Sequence, residues 1–168
     1  FLVLTNGLTA DSVGGGGLRM SDSVTTIADV GIRQNEAGGS GGGILVDGTS
    51  TAAITRTRIS GNSSAGGGGG LRIGATEPST AFVTITNTTL DTNSAPGQPG
   101  GAISARGGHL EIVASHVTGN TAVDGAGLHL DRVDAFIRDS NISGNTAPGC
   151  GGGIAAQHEG NNTLAITG

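Results

Sequence analysis

Aliphatic and polar residues alternate in short runs along this chain, and the runs come back at a nearly fixed interval. Leu18 and Met20, Ile44 and Val46, Leu71 and Ile73, and Leu128 and Leu130 each follow a glycine cluster and alternate with other residues. A second set alternates through Val83 and Ile85, Leu110 and Ile112, and Leu164 and Ile166. Period-two alternation over four or five residues predicts strands, and no window holds apolar residues at helical spacing long enough to compete.

The strands belong to a repeat. Glycine clusters lead into Leu18, Ile44, Leu71, Ile103, Leu128 and Ile154, so successive units are 26, 27, 32, 25 and 26 residues long. The longest holds an inserted loop, Thr76, Glu77, Pro78, Ser79 and Thr80. A stricter mark runs inside each unit: an Ile, an aliphatic five residues later, and an Asn three beyond that. It reads Ile27, Ile32, Asn35; Ile54, Ile59, Asn62; Ile85, Leu90, Asn93; Ile112, Val117, Asn120; and Ile137, Ile142, Asn145. Val3, Leu8 and Asp11 fit the same frame with Asp for Asn, and Ile166 opens a further copy. The chain is therefore expected to start and stop in the second strand segment of a coil.

A unit of this length with three short strands cannot bury its apolar face alone, whereas neighbours stacked in parallel make one continuous aliphatic core. The fold class expected is all-β: a parallel β-helix of about six coils of 25–32 residues, three short strands per coil, filling 1–168 as one domain. Three unequal faces with variable loops favour the right-handed form. At ~4.8 Å per coil the rod is roughly 29 Å long. Neither end shows a cap against edge-to-edge association, so the expected neighbours are flanking domains of a longer solenoid or other copies joined end to end.

The periodic polar residues then acquire structural roles. Asp11, Asn35, Asn62, Asn93, Asn120 and Asn145 are expected to stack as a ladder, because Asn tolerates a turn and passes amide hydrogen bonds from layer to layer. Ala37, Ala65, Ala95, Ala122 and Ala147 are expected to tuck inward beside it. Glycine makes up 34 of 168 residues, which corner conformations and close layer contacts explain. GGGG at 14–17 and GGGGG at 66–70 lack the Lys and the strand-turn-helix setting of a phosphate loop.

Charge and composition exclude more than they suggest. A net charge of −5, with no Trp and no Tyr, offers neither the basic footprint nor the stacking platforms of a nucleic-acid binder. Cys150 is the single cysteine, so no internal disulfide exists. No apolar run approaches the ~18 residues of a membrane span. His109, His116, His129 and His158 show no metal-ligand spacing, and no Gly-Gly-x-Gly-x-Asp nonapeptide supports structural Ca²⁺, so no cofactor is expected. Outward Thr pairs such as Thr55 with Thr57 and Thr84 with Thr86 do not keep one register, which argues against a regular ice-matching face.

The densest chemistry is His129-Leu-Asp131-Arg132-Val-Asp134, followed by Arg138 and Asp139. An outward His near acids and an Arg is the material for general acid–base work on a polysaccharide, as in a lyase or hydrolase. The alternative is a solvated corner whose Arg and Asp pair off. Stacking the first strands puts Arg19, Leu45, Arg72, Ser104, His129 and Ala155 in one outward column, which supplies no acid pair. Only Phe1, Phe82 and Phe136 are aromatic, and few rings lower the case for sugar binding.

TGNTAVDGAGLHL at 118–130 and SGNTAPGCGGGI at 143–154 resemble the right-handed parallel β-helix repeats of large bacterial cell-surface proteins. The chain is also similar to polymorphic outer-membrane autotransporter passengers, whose repeats pair GGAI, present here at Gly100 to Ile103, with an aromatic-x-x-Asn element; this chain has an aliphatic in place of the aromatic. The resemblance implies a non-catalytic extracellular or cell-surface segment, a stalk, adhesin or fibre component facing a host or matrix surface. The same coil also carries lyases and hydrolases.

Overall fold

The computed structural model describes residues 2–75, 79–157 and 162–168. Thr76, Glu77 and Pro78 of the expected insertion, and His158, lie outside them. The described residues form strands, turns and bends without a helix. Four parallel sheets run the length of a solenoid, each built from one strand per coil.

The first face holds Leu18–Ser21, Ile44–Asp47, Leu71–Ile73, Ile103–Arg106, Leu128–Asp131 and Ile154–Gln157. The second holds Val24–Ala28, Thr51–Thr55, Phe82–Thr86, His109–Val113, Asp134–Arg138 and Leu164–Thr167. The third holds Leu2–Thr5, Val30–Arg33, Arg58–Ser60, Thr89–Asp91, His116–Thr118 and Asn141–Ser143. Beyond the three strands expected per coil there is a fourth, of two residues just past the Asn position: Leu8–Thr9, Glu36–Ala37, Ser63–Ser64, Ser94–Ala95 and Thr121–Ala122. It is too short for alternation to mark, and it exists because these residues stay extended and pair with the coils on either side.

Register lines up like with like. Ile27, Ile54, Ile85, Ile112, Ile137 and Ile166 are successive partners on the second face, and Leu18, Ile44, Leu71, Ile103, Leu128 and Ile154 on the first. Their side chains fill one core, with Leu18 and Ile154 packed against it, except for Ile166, which is exposed. Each buried aliphatic contributes roughly 1.5–3 kcal/mol relative to exposure. A second, minor cluster of Ala95, Ala122 and Ala126, with Ala147 against it, lies beside the Asn corner.

The first coil is phased differently from the expectation. Leu2–Thr5 pairs with Val30–Arg33 and so belongs to the third face, not the second. Leu4 is the partner of Ile32, which leaves Gly7, not Asp11, opposite Asn35. The spacing of Val3, Leu8 and Asp11 imitates the repeat by coincidence, four residues out of step. Asp11 sits in the following turn, where its carboxylate accepts from the backbone N–H of Val13 and Gly14. Ala65 is a second correction: it is exposed, and Ser64 is the buried residue in line with Ala37, because the inward position is the second after the Asn and Ala65 is the third.

One glycine per coil is needed where the chain enters the first face. Gly41, Gly68, Gly100, Gly125 and Gly151 all have positive φ, between 53° and 74°. A Cβ on Gly68 would stand 2.5 Å from the Leu71 carbonyl oxygen and 3.0 Å from the Arg72 Cα. The turn folds down over the outside of its own strand, which is why Leu45 and Ser104 are fully buried in an outward column.

Candidate functional site

Two corners bound the third face, and both are polar. After it, Asn35, Asn62, Asn93, Asn120 and Asn145 stand in one column. The Asn93 Oδ1 accepts from the Asn62 backbone N–H at 3.0 Å and from its Nδ2 at 2.9 Å. The Asn93 Nδ2 in turn donates to Asn120 Oδ1 at 3.1 Å and back to the Ile59 carbonyl at 2.9 Å. The same pattern joins Asn35 to Asn62 and Asn120 to Asn145. Asn62, Asn93 and Asn120 are wholly buried.

Before the third face, Thr57, Thr88, Ser115 and Ser140 form a hydroxyl column that the repeat pattern did not reveal. The Thr88 hydroxyl accepts from the Thr57 N–H at 3.3 Å and donates to the Thr86 carbonyl at 3.0 Å. Ser115 and Ser140 repeat this. Thr57, expected to point outward, is therefore buried. The residue before each column member is Arg56, Asn87, Ala114 or Asp139 in left-handed conformation, which makes the bend, and Asp29 does the same before Val30.

The outward candidates do not converge. His129 and Asp131 share the first face. Asp134 begins the second face, Arg138 ends it, and Asp139 is the bend beyond. Asp131 is mostly buried and engaged by two guanidiniums: Arg106 Nε donates to it at 2.8 Å and Arg132 Nε at 3.3 Å. Burial works against its charge, but those bonds outweigh it and hold the carboxyl below its ordinary range. Burial likewise lowers the His129 imidazole, only partly offset by the Asp131 charge. Asp134 accepts the Thr163 N–H at 2.8 Å, and Arg138 pairs with Glu111 at 3.2 Å.

His129 and Asp131 line a cleft of about 180 Å³ together with Arg72, Arg106, Gln98 and Pro99. Arg72 Nη1 donates to the Ser104 hydroxyl at 2.6 Å. The column Arg19, Leu45, Arg72, Ser104, His129 and Ala155 is as expected from stacking. The arrangement can attract an anion, but the Asp131 carboxylate is committed to Arg106 and Arg132 and is poorly placed to take a proton. Among the described residues no three His, Cys, Asp or Glu gather to hold a metal ion.

The second face carries what sequence reasoning missed. Phe82 and His109 are register partners, their rings stacked at 4.2 Å with planes 5° apart. Phe136 leans on His109 at 5.3 Å and 30°. The signal was available: aligning Val83 with Leu110 puts Phe82 beside His109.

A family model described as "Right handed beta helix region" matches residues 3–132. A second, described as a Chlamydia polymorphic membrane protein repeat, matches residues 139–157. No curated protein and no solved structure matches the chain.

Proposed function

Because the chain belongs to the right-handed β-helix family, we propose that it is a non-catalytic, extracellular segment of a cell-surface protein, a rigid rod whose side faces meet a host or matrix surface. The observation that carries this reading is the division of labour among polar residues. The periodic ones bond coil to coil, and the five outward candidates are spread over two faces and a bend, with Asp131 and Arg138 held in ion pairs between coils. General acid–base chemistry needs its groups within reach of one substrate atom. The polymorphic-membrane-protein repeat match at 139–157 supports a surface location.

Two measurements test it. The chain is incubated with acidic and neutral polysaccharides, and new reducing ends and unsaturated products are followed; none are expected. Turnover that disappears in both Asp131→Ala and Asp134→Ala would overturn the non-catalytic reading. Protease accessibility on intact producing cells is expected to show the segment outside, and full protection would overturn the location.

A further inference from the structure

We propose that a hollow on the second face, beside Phe136, is a binding site for a flat aromatic side chain of a partner polypeptide. The inference stands apart from whether the rod is catalytic or where it resides. It starts from the way the ring stack ends. Phe82, His109 and Phe136 climb through three successive coils, and Phe82 and Phe136 remain 43% and 38% exposed. In the next coil the register partner of Phe136 is Ala165 and that of Arg138 is Thr167. Small side chains thus follow large ones, and a hollow of about 380 Å³ opens, lined by His109, Glu111, Phe136, Arg138, Ala165 and Thr167.

Its shape and lining select the occupant. The step between coils is ~4.8 Å, which suits a planar ring stacked as Phe82 and His109 already stack, and is short for a puckered sugar flanked by hydroxyls. The floor and one side are apolar. Glu111 and Arg138 provide, at the rim, an acceptor for an indole or phenol proton and a guanidinium that favours a ring face. These 168 residues include no Trp and no Tyr, so neither this segment nor a second copy of it supplies such a ring. Its Phe82 and Phe136 are already in the stack. The occupant is therefore a Trp or Tyr side chain of a polypeptide outside this segment.

The missing Trp and Tyr also make the test clean, because the protein is dark where tryptophan fluoresces. Titrating the chain into N-acetyl-tryptophanamide is expected to give a saturable blue shift and rise in anisotropy, with Kd on the order of 1 mM for so small a probe. Ala165→Phe, which fills the hollow with the chain's own ring, and Phe136→Leu, which keeps an apolar side chain but removes the ring, should each weaken binding at least tenfold. Phe82→Ala, at the far end of the stack, should leave it within twofold. All three positions face outward, and circular dichroism verifies the fold. The proposal is overturned by absence of saturable binding, by binding indifferent to Ala165→Phe, or by displacement of the probe from the hollow by N-acetylglucosamine or galacturonate at equal concentration.

Discussion

Of the two polar corners that bound the third face, one is built from amides and the other from hydroxyls, and the difference sets how firmly each ties coils together. An Asn side chain has donor and acceptor at once, so Asn93 bonds the coil before and the coil after. A hydroxyl has a single proton. Thr88 uses it on its own coil, at the Thr86 carbonyl, and reaches a neighbour only as acceptor. The amide corner is therefore a continuous chain of bonds along the axis, and the hydroxyl corner a series of separate links.

Substitution can break this contrast. Asn93→Ala is expected to cost about 3–5 kcal/mol, because it leaves the buried Asn62 backbone N–H and one Asn62 Nδ2 proton without their acceptor at about 1–3 kcal/mol each and removes further bonds. Thr88→Val keeps the shape and orphans only the Thr57 N–H, so about 1–2 kcal/mol is expected. Urea unfolding of both variants measures the pair, and equal losses would erase the distinction. Repeat proteins lose stability coil by coil, so hydrogen exchange should show the Asn93→Ala damage centred on the coils holding Asn62, Asn93 and Asn120.

The same corner contains a flaw that sharpens the comparison. Ser64 lies in the buried column otherwise occupied by Ala37, Ala95 and Ala122, and its hydroxyl has no hydrogen-bond partner. Ser64→Ala should stabilise by about 1 kcal/mol in the same assay, showing that a hydroxyl helps only where the backbone offers it two partners.

Neutral ladders should be insensitive to pH, unlike the ion pairs outside them. The Asp131 carboxyl is held below its ordinary range in the folded chain. The unfolded chain therefore takes up that proton first, near ~3.9, and stability falls as pH is lowered from about 4. Asp131→Asn should flatten this acid limb in thermal melts at graded pH. His129 acts at milder pH. Its folded imidazole is lowered, so the unfolded chain binds the proton more readily and stability declines below ~6.5. His129→Gln should remove that slope.

What could be read from the chain was whatever repeats in kind. The aliphatic columns and Asn35 through Asn145 recur at fixed offsets, because a solenoid asks the same question of every coil. The first coil is misphased because Gly7 stands where Asn is the marker, and Ala65 because a Ser, not an Ala, holds the inward position two past Asn62. The hydroxyl column was hidden among many Thr and Ser whose burial no spacing reveals. Ion pairs such as Arg58–Asp91 and Arg106–Asp131 join residues one coil apart, 33 and 25 positions along the chain, beyond any local charge pattern. The aromatic hollow depends on which residue fails to follow Phe136, and such a gap appears only once the register is known.

The amide ladder also gives the rod a direction. Every strand is parallel to its neighbours, and every Asn Oδ1 in the ladder faces the preceding coil while an Nδ2 proton faces the next. Moving up one coil reproduces the pattern, whereas turning the rod end for end sets carbonyl against carbonyl. Axial growth by this lattice is a screw operation without a two-fold, so any coil-on-coil joint must be heterologous and propagate one way, as along a polar filament.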